Sequence, residues 1–296
     1  MPGNRLCPRL IEHLAAHAFL ELRFRPAYSF DDMFGCMTAF APLIRSAVLA
    51  GAMIAGLVSV YADTISLQPA ADTTLIEIAP GNNMGGAIHF NAGTTGNGNR
   101  NRALMFFDLS SAIPAGATIT GAELSLDIVR QPEGTHPNSI FSLRRVLQSW
   151  NEGLRVPDES SPGQGSLAIA GEATWNDRFA AGTAWSVPGG LADTDFSSTL
   201  SSSAFVGGVG EQVLFSSSDT LIADIQFWLD HSEANFGWMF KTESESVGKT
   251  ARSFASRESG FGPTLTITFT AVPEPSAISL ATLCLICAAL VARRRS

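Results

Sequence analysis

The chain has 296 residues, 16% of them charged, with 27 acids against 19 Lys plus Arg for a net charge of −8. That balance leaves no basic face for a phosphate backbone, which excludes nucleic acid as a partner. Its four cysteines, Cys7, Cys36, Cys284 and Cys287, all lie near the two ends, so the region 63–271 can hold no disulfide.

Near the N-terminus, Ser46 to Val58 is an apolar run preceded by Arg45 and followed by Val60-Tyr61-Ala62, small side chains where a signal peptidase reads. The pattern predicts a signal peptide cut after Ala62, with 1–62 as leader and signal. Residues 1–36 carry four arginines and four acids, an unusually long lead-in. Translation starts either at Met37 or, with a long leader, at Met1. The mature region 63–271 holds 22 acids and 11 basic residues, a net charge of −11, and is long enough for one domain with a substantial core.

Thr73–Ile78 alternates β-formers and reads as a first strand, closed by Pro80-Gly81-Asn82-Asn83. A glycine and asparagine loop is expected from Gly93 to Arg102. Arg102–Leu109 is an almost continuous apolar strand, Ile113–Gly116 a turn, and Thr118–Ile128 an alternating strand with Leu124, Leu126 and Ile128 on one face. Ile140–Trp150 is a further strand. A long Gly-, Pro- and Ser-rich stretch then runs to about Gly210 and contains Trp175 and Trp185; a loop of that length is either functional or hides short strands. After a strand at Val213–Phe215, Ser216-x-x-Asp219 reads as a capping box opening a helix. Leu221, Ile222, Ile225, Trp228 and Leu229 form the apolar stripe of that helix. Strands at Phe236–Phe240, Ala251–Ser256 and Thr264–Phe269 follow. The count predicts an all-β fold, a jelly-roll-like antiparallel β-sandwich with one packed helix.

The tail has three parts: Val272-Pro273-Glu274-Pro275-Ser276, an uncharged run from Ala277 to Ala292, and Arg293-Arg294-Arg295. As a helix, 277–292 reaches about 24 Å, a marginal transmembrane segment against a core of about 30 Å. The arginines hold their end on the cytoplasmic side, so the main domain faces outwards. This arrangement resembles the PEP-CTERM sorting signal of Gram-negative bacteria that make extracellular polysaccharide. The resemblance implies an exosortase as processing partner, transient membrane anchoring, and delivery to the cell surface or outer matrix.

Within 73–270 the order of blocks is also distinctive: Arg102-Ala-Leu-Met-Phe-Phe-Asp-Leu109, Trp150-Asn151-Glu152, Ala173-Thr-Trp-Asn176, Trp185 with Pro188-Gly-Gly190, Ala234-Asn-Phe-Gly-Trp238, Ser256-Arg257-Glu258 and Pro263-Thr-Leu-Thr-Ile267. These resemble the DNRLRE-domain family, and the resemblance implies a β-sandwich similar to carbohydrate-binding modules.

Nucleophilic or zinc-dependent hydrolysis finds no Gly-x-Ser-x-Gly and no His-Glu-x-x-His, and His89, His136 and His231 are the imidazoles of the region. His231 reads as a helix C-cap, and His89 and His136 as surface residues. Glu243 and Glu245 share a strand face as a glycosidase pair would, but in a polar hairpin where solvated acids are expected. For a glycan, an aromatic face and planar polar groups are required. Trp150, Trp175 and Trp185, with Asn176 and Arg178 beside them, are the expected ligand-binding residues, while Trp228 and Trp238 are expected in the core. Asp193 and Asp195 are the expected metal ligands, with Asp72 and Asn82-Asn83 as a second cluster and Ca²⁺ the cation that such oxygen donors suit. The reading is therefore of an exported, non-catalytic surface protein that binds extracellular polysaccharide. A structural envelope protein binding proteins or itself is the alternative, and an orphan carbohydrate-active enzyme the third. N-terminal sequencing of the exported protein is expected to begin at Asp63; a start within 1–58 would remove the signal-peptide assignment.

Overall fold

The computed structural model describes residues 61–158 and 160–271. The predicted leader and signal up to residue 60, the sorting motif and the membrane segment 277–292 lie outside the described residues. Among the described residues, no helix is long and apolar enough to cross a membrane.

The elements in chain order are β1 (Ala62–Leu67), β2 (Ala71–Ile76), β3 (Asn82–Asn83), β4 (His89–Thr94), β5 (Arg100–Phe106), β6 (Thr118–Arg130), β7 (Ser139–Arg145), β8 (Ser166–Leu167), β9 (Asp177–Phe179), β10 (Thr183–Ala184), β11 (Ser202–Val206), β12 (Gln212–Phe215), α1 (Asp219–Asp230), β13 (Trp238–Thr242), β14 (Arg252–Ala255) and β15 (Thr264–Thr270). Eleven strands make one sheet in the order β1-β15-β6-β14-β4-β5-β13-β7-β11, with β12 on β6 and β2 on β5; β9–β10 and β3–β8 are separate pairs. All the pairings are antiparallel. The mostly β, antiparallel architecture with one helix agrees with the sequence. Its form is a single sheet curled so that β6, β14 and β15 share a core with β5, β7 and β13.

Alternation drives the curl. Along β6, Ile119, Ala122, Leu124, Leu126 and Ile128 are buried while Thr120, Glu123 and Asp127 face water. Opposite them, β15 buries Leu265, Ile267 and Phe269. Such two-residue periodicity makes one face apolar. Helix α1 closes the core with Leu221, Ile225 and Trp228. Its cap is Ser218, two residues beyond the expected Ser216: the Ser218 backbone is extended, and its Oγ accepts the Leu221 N–H at 3.1 Å.

The expected loop from Gly93 to Arg102 is instead a hairpin, β4 turning into β5 through Thr95–Asn99, with Gly93 opposite Asn101. At the other end of β4, His89 pairs with Ala255 of β14 and is buried, against its expected surface position, and burial pushes its imidazole below the ordinary pKa. His231 caps α1 as expected, its N–H donating to the Phe227 carbonyl.

The long stretch from 147 to 201 has a definite task. On β2, β5 and β13, Leu75, Leu104 and Met239 point away from the main core, and Trp175, Trp185 and Phe196 cover them as a second core. Asn83 pins this cover from within. Its Nδ2 donates to the carbonyls of Glu152 (2.6 Å) and Ala173 (2.8 Å), and its Oδ1 accepts from Gly85 N–H (2.9 Å) and Arg155 N–H (3.2 Å). Gly189 lets the chain pass over the Trp175 indole: its φ is +82°, and a Cβ there would lie 2.6 Å from the ring. Gly189→Ala is expected to destabilise the protein by about 3 kcal/mol, combining left-handed strain with overpacking. Thermal unfolding should then show Tm lower by roughly 6–12 °C, and an unchanged Tm would show that the cover does not fold as a unit with the sheet.

Candidate functional site

The three candidate tryptophans part company in the structure. Trp175 and Trp185 are 3% and 4% exposed, inside the second core. The guanidiniums of Arg100 and Arg102 lie 5.2 and 5.5 Å from the Trp175 ring, and the Trp185 indole N–H donates to the Thr174 carbonyl at 3.0 Å. This corrects their assignment as ligand residues, since neither offers a free ring face. They are buried because β5 and β13 carry apolar side chains on both faces. Asn176 is exposed. Arg178 is tied down, Nη1 donating to the Ser149 carbonyl at 2.8 Å with its guanidinium 5.7 Å from the Phe179 ring. Neither lines the groove beside Trp150. Trp228 and Trp238 are core, as expected.

Asp193 and Asp195 are loop-fixing groups, which corrects their assignment to a metal. Asp193, at φ 61°, accepts the Ser198 N–H at 2.8 Å, and hydrogen bonding by Ser198 holds its carboxyl below the usual range. Buried Asp195 accepts from Ser186 N–H (3.0 Å), Ser186 Oγ (3.1 Å) and Leu191 N–H (2.8 Å). The Glu243/Glu245 pair is likewise occupied. Arg102 bonds Glu245 at 2.7 and 2.9 Å, Arg144 bonds Glu243 at 3.0 and 3.1 Å, and Lys241 lies between them at 3.8 and 3.6 Å. Each acid has a cation of its own.

Trp150 alone reaches a groove. It is half-buried at the rim of the second core, and its indole N–H donates to the Phe236 carbonyl at 2.8 Å. With Phe106, Phe236, Ala70 and Ala71 it walls a space of about 360 Å³, where Asn151, Glu152 and Asn235 supply the polar groups. Asn235 is held by donation to the Phe107 carbonyl (2.9 Å) and acceptance from Gly237 N–H (3.2 Å). The walls are therefore stiff.

Behind Glu152 lies an ion-pair knot; Asp72, an expected metal candidate, stands in it not with Asn82-Asn83 but with Glu152, Arg257 and Glu258. Arg257 donates to both Glu152 oxygens (2.8 and 2.7 Å), its backbone N–H to Asp72 Oδ2 (2.9 Å), and its Nε lies 2.8 Å from Glu258 Oε1. The Asp72 N–H donates to Glu152 Oε1 at 2.7 Å. One oxygen from each of Asp72, Glu152 and Glu258 lies within 4.8 Å of the others. Burial, aided by the charges of Glu258 and Glu152, pushes the Asp72 carboxyl up to about 8. Burial also raises Glu152 despite its pairing, and hydrogen bonding to Glu152 raises Arg257. These three carboxyls, rather than Asp193 and Asp195, are the residues that could hold a hard cation such as Ca²⁺, which would meet the Arg257 guanidinium already among them. The sequence signal was present in the Trp150-Asn-Glu152 and Ser256-Arg-Glu258 blocks, but nothing in their spacing joins them.

A scan against protein-family models finds no match for this chain, and a search of curated protein sequences finds none.

The knot makes stability depend on pH in a stated direction. Below about pH 4 Asp72 is protonated whether folded or unfolded; from there to about pH 8 only the folded state keeps the proton, so this contribution falls as pH rises. Compared with Asp72→Asn by denaturant titration, the wild type should lose relative stability steadily from pH 4 to 8 and hold a constant difference above it. Parallel curves would show that Asp72 titrates normally.

Proposed function

We propose that this is an exported, exosortase-sorted protein of the cell surface or outer matrix, whose domain binds extracellular polysaccharide without cleaving it. In this reading the curled sheet acts as a jelly-roll-like sandwich of the DNRLRE type, and the PEP-CTERM-like tail delivers it outside a Gram-negative-type cell. The observation that carries the binding reading is the Trp150 groove. Three aromatic residues beside amide and carboxylate groups, in a preformed space of about 360 Å³, supply an apolar face for a sugar ring and planar partners for its hydroxyls. Further support comes from the Glu152–Arg257 pair, which ties two of the resemblance-bearing blocks together behind the groove.

Trp150→Ala is expected to lower retention on polysaccharide by about 2 kcal/mol, roughly thirtyfold in Kd, with the fold intact by circular dichroism. Affinity electrophoresis against insoluble and acidic polysaccharides, with and without Ca²⁺, measures this. Full retention in a folded Trp150→Ala protein would reject the groove. No retention of the wild type on any polymer would favour the structural envelope reading.

A further inference from the structure

The chemistry lining the Trp150 groove is lopsided. Its aromatic walls are Trp150, Phe106 and Phe236, and among the described residues Glu152 is the one charged side chain that lines it. Each of its side-chain donors, indole and amide, is already tied to a backbone carbonyl: Trp150 Nε1 to Phe236 (2.8 Å), Asn235 Nδ2 to Phe107 (2.9 Å) and Asn151 Nδ2 to Gly171 (3.1 Å). A uronate carboxylate is held by cations or by convergent free donors. This lining has no lysine or arginine, and its indole N–H is spent.

Nor is the charge of Glu152 balanced locally. Arg257 bonds both Glu152 oxygens but also meets Glu258, and Asp72 stands beside them. Among the described residues, three carboxyls therefore share one guanidinium. Even with Asp72 holding its proton, two carboxylates stand against one arginine, an excess of one negative charge beside the groove. Glu152 Oε1 accepts two bonds, from the Asp72 N–H and from Arg257 Nε, whereas Oε2 accepts one, from Arg257 Nη2. A carboxylate oxygen has two lone pairs, so one on Oε2 is unused.

Aromatic faces attract cations through the ring quadrupole, most strongly where water is kept away. Aromatic walls, a carboxylate with a spare lone pair and a local excess of negative charge together make the recognition chemistry of an organic ammonium group. The net charge of −11 over 63–271 also draws a cationic polymer towards the domain.

We propose that the Trp150 groove takes a sugar residue bearing a free amine, its ammonium set against the aromatic walls and Glu152, so that the protein selects a de-N-acetylated amino-sugar polymer over neutral and uronate polymers. The inference rests on the reading of this groove as a polysaccharide site and names the class of polymer.

The test is calorimetry on the purified full-length protein at about pH 6, where an amine of this kind carries its proton. The ligands are chitosan hexaose, chitohexaose, cellohexaose and hexagalacturonate. Chitosan hexaose should bind at least about tenfold more tightly than chitohexaose, which differs from it by its acetyl groups, and hexagalacturonate should bind weakest. Trp150→Ala should weaken chitosan hexaose roughly thirtyfold. Glu152→Gln should bring chitosan hexaose and chitohexaose within about threefold of each other. Should Glu152→Gln unfold for want of its bonds to Arg257, Phe236→Leu, which keeps an apolar wall but removes the ring, should narrow the same ratio at least about threefold. Equal or tighter binding of a neutral or uronate hexamer, lost in Trp150→Ala, overturns the amine assignment and leaves the polysaccharide groove standing. Chitosan hexaose held undiminished by a folded Trp150→Ala protein shows attraction to the acidic surface at large and overturns the proposal. No binding of any hexamer removes the polysaccharide reading and this inference with it.

Discussion

The structure depends on keeping water off both faces of the sheet where β2, β5 and β13 lie side by side. Along β5, Ala103 and Met105 enter the main core while Leu104 enters the second; along β13, Trp238 and Phe240 enter the first and Met239 the second. Curling the sheet covers one face only. The other requires an added layer, and the 147–201 stretch supplies it with Trp175, Trp185 and Phe196, each burying a large apolar surface. The segment is irregular because it must follow the sheet's twist and satisfy its own backbone groups locally, which it does through Asn83, Asp195 and a run of turns.

Charge is arranged around the same constraint. The domain has few cations, and most hold architecture: Arg102 bridges β5 to Glu245 and to the Gly189 carbonyl, Arg145 meets Asp224 of α1, Arg155 meets Glu172, and Arg257 closes the knot on Glu152. Partly buried pairs of this kind contribute little net stability, because desolvation offsets the attraction, yet losing one partner leaves the other charge without its counter-ion. They serve as registration marks between segments far apart in sequence. Asp72 shows the cost: it lies so deep, beside two other acids, that it holds its proton to about pH 8.

How much could be read in advance followed the range of the forces involved. Local periodicity is set by neighbours two or four residues away, so β6, β15 and the apolar stripe of α1 were legible, and so was the core placement of Trp228 and Trp238. The strand β4 was missed because it runs into the glycine and asparagine stretch from Gly93 that read as loop, and it is held by pairing with β14 and β5. Of the five expected ligand residues, Trp150 is the one that lines the candidate groove. Trp150 lies in a groove; Trp175 and Trp185 carry the same chemistry but stand under a sheet face whose need for cover no local pattern reveals.

By itself, then, the sequence determined the class of the domain, its antiparallel strands and single helix, its acidic charge and its lack of disulfides, because these follow from composition and short-range alternation. Only the tertiary structure decided which tryptophan meets solvent, that one curled sheet needs a second core, and that Asp72, Glu152 and Glu258 share one ion-pair knot. Asp72 and Glu152 are 80 positions apart, and Glu152 and Arg257 are 105. Contacts over such distances form only when the burial of apolar surface brings the segments together, and alternation along a strand carries no record of which segment arrives.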